Sequence, residues 1–298
     1  MLQLRRVGDG PILCPRPDIP WEKDAVLNAA ATYAEGGVHL HYRAVAHAPD
    51  DPNRSSIGYA FSAAGVHFER MEAPVLAPGT VPEESQGVED PRVTRLDGTY
   101  VMLYTAYDGA RTQIAMATSD DLVHWERHGI VLSSERFGNN KDAMLFPERF
   151  GGRACMMHRP DPDIYLAFSE DLHHWTDHVR LMSPRFAWER QKIGGGAPPI
   201  RTEAGWLVVY HGVDEDLEYR LGVALLDLDD PTRVIARQAE PILEPATAWE
   251  RAGDVNDVVF TCGALLRDRE LWVYYGAADT VIGLATGCVD DFLREIVV

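Results

Sequence analysis

Short apolar runs alternate with turn residues along nearly the whole chain. The runs are rich in Val, Tyr and Trp, and Gly, Asp and Pro separate them; examples are VHLHYRAVA, TYVMLYTAY, GWLVVYHGV and ELWVYYGAA. Apolar positions that alternate with polar ones between turn signals are typical of β-strands. Convincing amphipathic helical stretches are scarce, so the pattern predicts an all-β protein.

The chain also contains an internal repeat. The stretch Ile114–Leu132, IAMATSDDLVHWERHGIVL, recurs as Ile164–Met182, IYLAFSEDLHHWTDHVRLM, with the elements S-x-D-L-x-H-W in register. A degenerate copy covers Ile57–Leu76, and two weaker copies begin at Leu221 and Ile282. Five copies in 298 residues leave about 60 residues for each, which suits a four-stranded propeller blade.

We therefore predict a five-bladed β-propeller that forms a single domain over residues 1–298. Terminal strands are expected to complete the first blade and the last one. Trp125 and Trp175, at the end of the two clear repeat copies, are expected to pack in the core between neighbouring sheets.

The net charge of the chain limits the classes of binding partner that we expect. Acidic residues outnumber basic ones 46 to 28, which gives a formal net charge of −18. A field of that sign repels the phosphates of nucleic acids and anionic lipid surfaces, so neither is expected as a partner. An anionic substrate would require a local basic pocket, because salt screens charges beyond about 10 Å.

The sequence shows no pattern that indicates a membrane span, a secretory signal, a disulfide framework or a metal site. No window approaches the roughly 20 apolar residues of a membrane span, and the start MLQLRRVGDG lacks an apolar signal core, so we expect a cytoplasmic protein. The four cysteines form no CxxC pair and the histidines lack HExxH spacing. We expect reduced, mostly buried thiols and no metal site.

Ionisable residues recur at the ends of the apolar strands in all five copies. In a radial array of sheets the inner strands converge on one axial funnel, which is the natural place for a ligand. The residues at these positions are Arg43, Glu89, Asp90, Lys141, Asp142, His158, Arg159, His211 and Asp279. We expect them to meet at one site.

Seven segments, taken together and in this order, resemble a known enzyme family. They are GVEDPRV from Gly87, KDAMLFPE from Lys141, MMHRP from Met156, KIGGGAPPI from Lys192, YHG from Tyr210, YRLGVALLDLDDP from Tyr219 and YYGAAD from Tyr274. The resemblance is to glycoside hydrolase family 130, five-bladed propeller enzymes that act on β-mannosides and are mostly phosphorylases. It implies inverting phosphorolysis of terminal β-mannosidic bonds, which yields α-mannose 1-phosphate. Inorganic phosphate is then the co-substrate and no other cofactor is implied.

The resemblance also implies roles for individual residues. Asp90 corresponds to the family's proton donor, and Pro91 is expected to hold the Asp90 backbone extended. The positions that match phosphate-contacting residues are Lys141, Arg159, His211 and Tyr219, and those assigned to the mannoside are Arg43, Lys192, Asp279 and His158. A guanidinium can bind two phosphate oxygens in parallel, and an ammonium adds a point charge.

Two alternatives stay open. A β-mannosidase of the same fold would use water and would need a carboxylate base such as Glu148 or Asp279. The family's hydrolases resemble phosphorylases without the basic phosphate ligands, and those ligands are present here, which favours phosphorolysis. A non-catalytic sugar-binding propeller is the more distant alternative.

The sequence leaves the linkage, the acceptor sugar and the oligomeric state open. The pair Lys141-Asp142 is more similar to members that act on β-1,2-mannosides than to those that act on β-1,4 linkages. The acceptor is expected to be contacted by variable loops such as Ala46–Ser56 and Phe137–Asn140, or by a partner subunit of a homo-oligomer. The glycines of Gly194–Gly196 are expected to allow close approach of a sugar rather than to bind a nucleotide.

Overall fold

The computed structural model describes residues 1–48, 51–79 and 81–296. Antiparallel strands dominate these residues and the helices are short, which confirms the predicted all-β class. The strands follow one another in five groups along the chain, and each repeat copy begins at or within the third long strand of one group. The fivefold repetition in the sequence is therefore a repetition of strand groups, of which groups 1 and 2 are joined into one sheet by a single parallel pairing of Ser55 with Gly87.

The element bounds are as follows. The short strand β1 (Arg5–Arg6) precedes group 1, which contains β2 (Ala25–Ala34), β3 (Gly37–Ala48), β4 (Asp51–Ser62) and β5 (Glu69–Arg70). After a 3-10 turn (Pro82–Glu84), group 2 contains β6 (Gly87–Leu96), β7 (Thr99–Tyr107), β8 (Thr112–Ser119) and β9 (Glu126–Leu132). Helix α1 (Ser134–Phe137) leads to group 3, with β10 (Asn140–Leu145), β11 (Ala154–Pro160), β12 (Ile164–Ser169) and β13 (Thr176–Met182).

The second half continues in the same way. A 3-10 turn (Ala187–Glu189) precedes group 4, with β14 (Lys192–Gly195), β15 (Ile200–Arg201), β16 (Trp206–Val213), β17 (Tyr219–Leu226) and β18 (Val234–Arg237). Helix α2 (Ala248–Arg251) precedes group 5, with β19 (Val259–Arg267), β20 (Glu270–Ala277) and β21 (Val281–Cys288), and helix α3 (Asp290–Ile296) follows.

The N-terminal strand completes the last group. Arg5 and Arg6 of β1 pair with Thr286 and Ala285 of β21, so group 5 has four strands although it contributes only three in sequence order. The prediction for the first group was wrong, because β5 pairs with β4 and supplies the outer strand of group 1 from the same stretch of chain.

Five large apolar clusters lie between consecutive groups, and one of them joins group 5 to group 1. In that closing cluster, Leu40 of β3 and Tyr274 of β20 are both buried. Trp175 packs between groups 2 and 3, and Trp125 packs against the cluster between groups 1 and 2. The prediction that both tryptophans serve core packing is therefore confirmed.

The repeated S-x-D-L-x-H-W element is a turn between the third and fourth strands. In the first clear copy, the Ser119 hydroxyl accepts from the backbone N–H of Leu122, and Asp121 Oδ1 accepts from the N–H of His124. Trp125 Nε1 donates to the Leu122 carbonyl. The same three contacts recur in residues 169–175. The repeat therefore preserves a hydrogen-bonded turn.

A buried glutamate, a tyrosine and an arginine meet in four of the five groups. The sets are Glu22 with Tyr42 and Arg70, Glu84 with Tyr104 and Arg127, Glu189 with Tyr210 and Arg237, and Glu250 with Tyr275 and Arg6. Each tyrosine lies on the second long strand and faces the preceding group. In group 3 the register places His158 at this position, opposite Tyr165.

Two further sequence expectations concern the chain as a whole. No helix among the described residues is long and apolar enough to cross a membrane. The four cysteines are free thiols, but only Cys155 and Cys262 are buried, whereas Cys14 and Cys288 are exposed. The expectation of reduced thiols agrees with the structure, and the expectation of mostly buried ones holds for two of the four.

Candidate active site

The first strands of groups 1, 2 and 3 share a β-bulge that carries a polar residue. Asn28, Asp90 and Asp142 have φ values of 50°, 50° and 58°, and the strand register shifts at each of them. A bulge re-aims the side chain of the extra residue, and Asp and Asn tolerate the left-handed conformation better than other non-glycine residues. The same type of β-bulge therefore directs three polar side chains towards one region of the molecule.

The expectation that Pro91 keeps Asp90 extended is wrong. Proline disfavours the right-handed helical region for the residue before it, but the bulge places Asp90 at positive φ instead. The Asp90 carbonyl accepts a hydrogen bond of 3.0 Å from Nη1 of Arg92, which helps to hold this conformation. The direction of the Asp90 side chain therefore follows from the bulge.

The structure brings eight of the nine residues to which the resemblance assigns a role to one cavity of about 300 Å³. They are Arg43, Asp90, Lys141, Arg159, Lys192, His211, Tyr219 and Asp279. All five groups contribute at least one of these residues. The cavity lies where the groups converge, as the positions at the strand ends predict.

His158 is the exception, because it does not line this cavity. Successive side chains on a strand point to opposite faces, so His158 and its neighbour Arg159 diverge. The His158 ring is buried between groups, where it contacts Asn140 and His178 at 3.0 Å each. Burial and the nearby His178 lower the pKa of His158 to about 3. It occupies the tyrosine position of the other groups, and this placement does not support a direct contact with substrate.

Asp90 lies in a strongly positive environment. Its Oδ1 accepts a hydrogen bond of 2.8 Å from Asn28 and lies 3.5 Å from Nη1 of Arg43. Burial by itself would raise the pKa of Asp90, but Arg43, Arg92 and Lys141 together with the Asn28 hydrogen bond hold that pKa below its usual value. The carboxyl group is therefore ionised in the ligand-free cavity at neutral pH.

Glu89, next to Asp90, connects two of the cavity cations. Its Oε1 accepts a hydrogen bond of 3.0 Å from Arg43, and its Oε2 lies 3.4 Å from Nζ of Lys141. Arg43 also donates to the Ser55 hydroxyl. These contacts hold the guanidinium of Arg43 and the ammonium of Lys141 in a fixed orientation.

Asp142 organises a second set of cations. Its Oδ1 lies 3.1 Å from Nη2 of Arg92, and its Oδ2 lies 2.6 Å from Nε of Arg159. The second contact is an ion pair without the alignment of a hydrogen bond. Burial opposes ionisation of Asp142, but Arg159 and Arg92 outweigh it and depress its pKa. Asp142 is therefore a charged partner for buried arginines.

The fourth group adds a lysine and two aromatic side chains. Lys192 Nζ lies 5.8 Å from the centre of the Tyr219 ring, and Tyr219 stacks on His211 with 5.9 Å between ring centres. Burial and the nearby Arg159 lower the pKa of Lys192. Burial lowers the pKa of His211 to about 3, so its imidazole is neutral.

Asp279 differs from the other cavity carboxylates. Burial, opposed by Arg43 and reinforced by Asp90, raises its pKa to about 6. Its φ is 48°, so it also stands at positive φ, just after β20. Asp279 is the cavity carboxyl whose charge changes nearest to neutral pH.

Three contributors were missed as functional residues. Asn28 is a lone polar residue within the apolar run AVLNAAATYA, and that interruption is a signal. Arg92 is 1% exposed and donates to Asp142 and to the carbonyls of Gly195 and Gly196. Asp142 was among the strand-end residues expected at the site, and it lines the cavity, but it was given no role beyond the comparison of linkages. The partners of Arg92 are distant in sequence, so no local pattern reveals them.

The glycines of Gly194–Gly196 allow protein packing. A Cβ on Gly194 would lie 2.3 Å from the His211 ring and 2.5 Å from Asp142, and one on Gly195 would lie 1.8 Å from Met144. None of the three lines the cavity. The expected close approach is therefore to neighbouring side chains and not to a sugar.

Two other sequence expectations concern the loops predicted to contact the acceptor and the carboxylate base that a β-mannosidase would need. Asn139, within the predicted acceptor loop Phe137–Asn140, lines the cavity. The segment Ala46–Ser56 belongs to the β3–β4 hairpin, and its residues 49 and 50 lie outside the described residues. Glu148 pairs with Arg201 at 3.0 Å on the surface and does not line the cavity, unlike Asp279.

Within residues 1–48, 51–79 and 81–296, no cluster of three or more His, Cys, Asp and Glu side chains is arranged to hold a metal ion. The cavity chemistry is a set of cations and neutral donors around carboxylates. Such a set suits an anion and a polyhydroxylated ligand.

Comparison with known proteins agrees with this chemistry. The chain is 47% identical over 293 residues to the 1,2-beta-oligomannan phosphorylase of Thermoanaerobacter sp. (strain X514), covering 96% of this chain and 97% of that protein. It is 49% identical over 298 residues to the beta-1,2-mannobiose phosphorylase of the same organism, with the same coverage.

A solved structure and a family model match as well. The beta-1,2-mannobiose phosphorylase from Listeria innocua, in its complex with beta-1,2-mannobiose, has a TM-score of 0.89 at 30% identity, covering 98% of this chain and 99% of that chain. The model of glycoside hydrolase family 130, described as beta-1,4-mannooligosaccharide phosphorylase, matches residues 17–296. This chain therefore belongs to glycoside hydrolase family 130.

Proposed function

We propose that this chain is an inverting β-mannoside phosphorylase. It transfers the terminal mannosyl unit of a β-1,2-linked manno-oligosaccharide to inorganic phosphate and releases α-mannose 1-phosphate and a shortened acceptor. The observation that carries the proposal is that Asp90 shares one cavity with Lys141, Arg159 and Lys192. The β-1,2 linkage is inferred from the names of the relatives at 47% and 49% identity.

Asp90 is the proposed proton donor. Its carboxyl group is ionised in the free cavity, because neighbouring cations hold its pKa down. Phosphate bound against Lys141 and Arg159 cancels part of that positive field, which raises the proton affinity of Asp90. The proton then passes to the leaving glycosidic oxygen, directly or through a sugar hydroxyl.

Phosphate is the proposed nucleophile, held by Lys141, Arg159, His211 and Tyr219. It arrives as an anion, so the reaction needs no carboxylate base, whereas an inverting hydrolase does. Asp142, beside the cations, is paired with Arg92 and Arg159 and is poorly suited to take a proton from water. A single displacement on the face opposite the leaving group inverts the anomeric centre. Arg43, Lys192 and Asp279 bind the mannosyl hydroxyls.

The five groups of strands are proposed to be the blades of one closed propeller that forms a single domain. The support is that the apolar clusters join consecutive groups in a cycle, including group 5 to group 1. The proposed chemistry uses inorganic phosphate as co-substrate and requires neither a metal ion nor an organic cofactor. A cytoplasmic location stays a prediction from the sequence.

The test is to incubate the purified protein with β-1,2-mannobiose in phosphate buffer and in buffer free of phosphate. We expect α-mannose 1-phosphate in the first case and little cleavage in the second. Equal release of free mannose in both buffers would identify a β-mannosidase instead. A panel of acceptors with mannose 1-phosphate, followed by phosphate release, then identifies the acceptor and checks the linkage.

A further inference from the structure

An additional carboxylate lies at the mouth of the cavity. Asp161 follows β11 directly, in the turn that leads to β12, and it lines the cavity. Its side chain is 57% exposed, far more than that of Asp142 at 2%. The Oδ1 atom of Asp161 accepts a hydrogen bond from Nη1 of Arg159. Arg159, which is proposed to bind phosphate, is therefore already paired with the carboxylate of Asp161 at the mouth of the cavity.

Arg159 therefore has two carboxylate partners of different kinds. Asp142 lies behind the guanidinium, 2.6 Å from Nε, and also pairs with the buried Arg92. Moving Asp142 away would leave buried charges without partners, which is strongly unfavourable. Asp161 can turn into solvent more easily, because its own side chain is 57% exposed and stays hydrated without the pair, although Arg159 is buried. Of the two carboxylates, only Asp161 can readily be displaced from Arg159 by another anion.

Phosphate would compete with Asp161 for the same donors. A guanidinium binds a phosphate best through two parallel N–H donors. The parallel donor pairs of a guanidinium are Nε with Nη2 and Nη1 with Nη2; Asp142 faces Nε and Asp161 accepts from Nη1, so Asp161 holds a donor of the pair that Asp142 does not face. A two-donor contact with phosphate requires Asp161 to release Nη1. The negative charge of Asp161 at the rim also repels an entering anion.

We propose that Asp161 is an exchangeable occupant of the phosphate site and sets the affinity of the enzyme for phosphate. It pairs with Arg159 when phosphate is absent and moves towards solvent when phosphate binds. The inference rests on the proposed phosphorolysis, because it assumes that Arg159 contacts phosphate. A carboxylate in this position also disfavours weakly binding monoanions, since a dianion gains more from displacing it.

The test is the variant Asp161→Asn, assayed with saturating β-1,2-mannobiose and varied phosphate. We expect the KM for phosphate to fall by up to about fivefold, which corresponds to removing a weak competing ion pair, and to change more than kcat or the KM for the mannoside does. The matched control is Asp177→Asn, because Asp177 is 61% exposed and pairs with Arg153 on the surface of the same group. That variant has the same change in net charge and is expected to match the wild type.

Inhibition by sulfate, a dianion that cannot react, provides a second readout. The inhibition constant of sulfate should fall by the same factor in Asp161→Asn as the KM for phosphate does. If Asp161→Asn folds poorly, Asp161→Ser is used instead, because it removes the same charge. A KM for phosphate that is unchanged or higher in these variants would overturn the inference, since Asp161 would then be neutral or would position Arg159. Phosphate-independent cleavage by the wild type would instead defeat the proposed function itself.

Discussion

The side-chain amide of Asn28 donates a hydrogen bond of 2.8 Å to Oδ1 of Asp90, across two different groups of strands. Both residues are buried and both have a φ of 50° at a β-bulge. Arg43 approaches the same oxygen at 3.5 Å. Both contacts engage Oδ1, so Oδ2 is the oxygen left for a substrate. The orientation of the proposed acid therefore depends on a residue from the neighbouring group of strands.

Replacement of the proposed acid is the most direct prediction. Asp90→Asn keeps the shape of the side chain but removes the transferable proton, so we expect turnover to fall by about 10²- to 10⁴-fold. Phosphate release in the synthetic direction measures the loss, and thermal unfolding checks that the fold is intact. A folded variant that retains most of its activity would show that another group donates the proton or that the cavity only binds sugar.

Removal of the Asn28 amide should change the ionisation of Asp90. The hydrogen bond favours the charged carboxylate, so Asn28→Ala is expected to raise the pKa of Asp90. The limb of the kcat/KM against pH profile that reports Asp90 should move to higher pH. The same hydrogen bond also orients the carboxyl group, so its loss should lower kcat/KM roughly tenfold or more. Lower activity with an unmoved limb would mean that Asn28 has only a structural role.

Asp279 should reduce stability at neutral pH. Its folded pKa of about 6 lies above the ordinary value of 3.8, so the folded state holds the proton more tightly than the unfolded state does. Stability therefore falls as the pH rises from about 4 to about 6, and the loss persists above that range. Asp279→Asn avoids the buried charge and should unfold at a higher temperature than the wild type at pH of about 7.5.

The difference in Tm between Asp279→Asn and the wild type should shrink as the pH approaches about 4, where Asp279 is also uncharged. The variant should bind the mannoside more weakly, because Asp279 is proposed to hold its hydroxyls. A Tm difference that is independent of pH would contradict the assignment of this titration to Asp279.

Gly222 should not tolerate a side chain. It lies opposite Tyr210 in the sheet of group 4, and a Cβ there would be 2.6 Å from the rings of Tyr210 and Trp188. Gly222→Ala should therefore lower the free energy of unfolding by about 1–3 kcal/mol, the usual cost of overpacking. Gly10→Ala is the control, since nothing lies within 4 Å of a Cβ there. Equal urea midpoints for the two variants would refute the packing argument.

Some site residues were predictable because their signal is local. Asp90, Lys141, Arg159, His211 and Asp279 each stand beside an apolar run in the sequence, and all five line the cavity. The family resemblance added Tyr219 and Lys192. Arg92 acts through partners that are distant in sequence, Asp142, Gly195 and Gly196, and carries no comparable pattern in the sequence.

The wrong expectations have a common physical origin. His158 and Arg159 are adjacent in a strand, so only one of them can face the cavity, and the position in the sheet decides which. Asp90 precedes a proline, but the bulge overrides the local preference for extended backbone. In each case pairing with a neighbouring strand determines the outcome.

The amino-acid sequence by itself determined the all-β class, the fivefold repetition and the kinds of side chain at the strand ends. These follow from period-two hydrophobicity and turn residues, which are properties of short segments. Tertiary structure alone decided that Asn28 meets Asp90, that Asp142 pairs with Arg92 and Arg159, and that Asp279 titrates near neutral pH. The contacts of Asn28 with Asp90 and of Asp142 with Arg92 join different groups of strands. A carboxyl group's pKa depends on burial and on every charge around it, however distant in sequence.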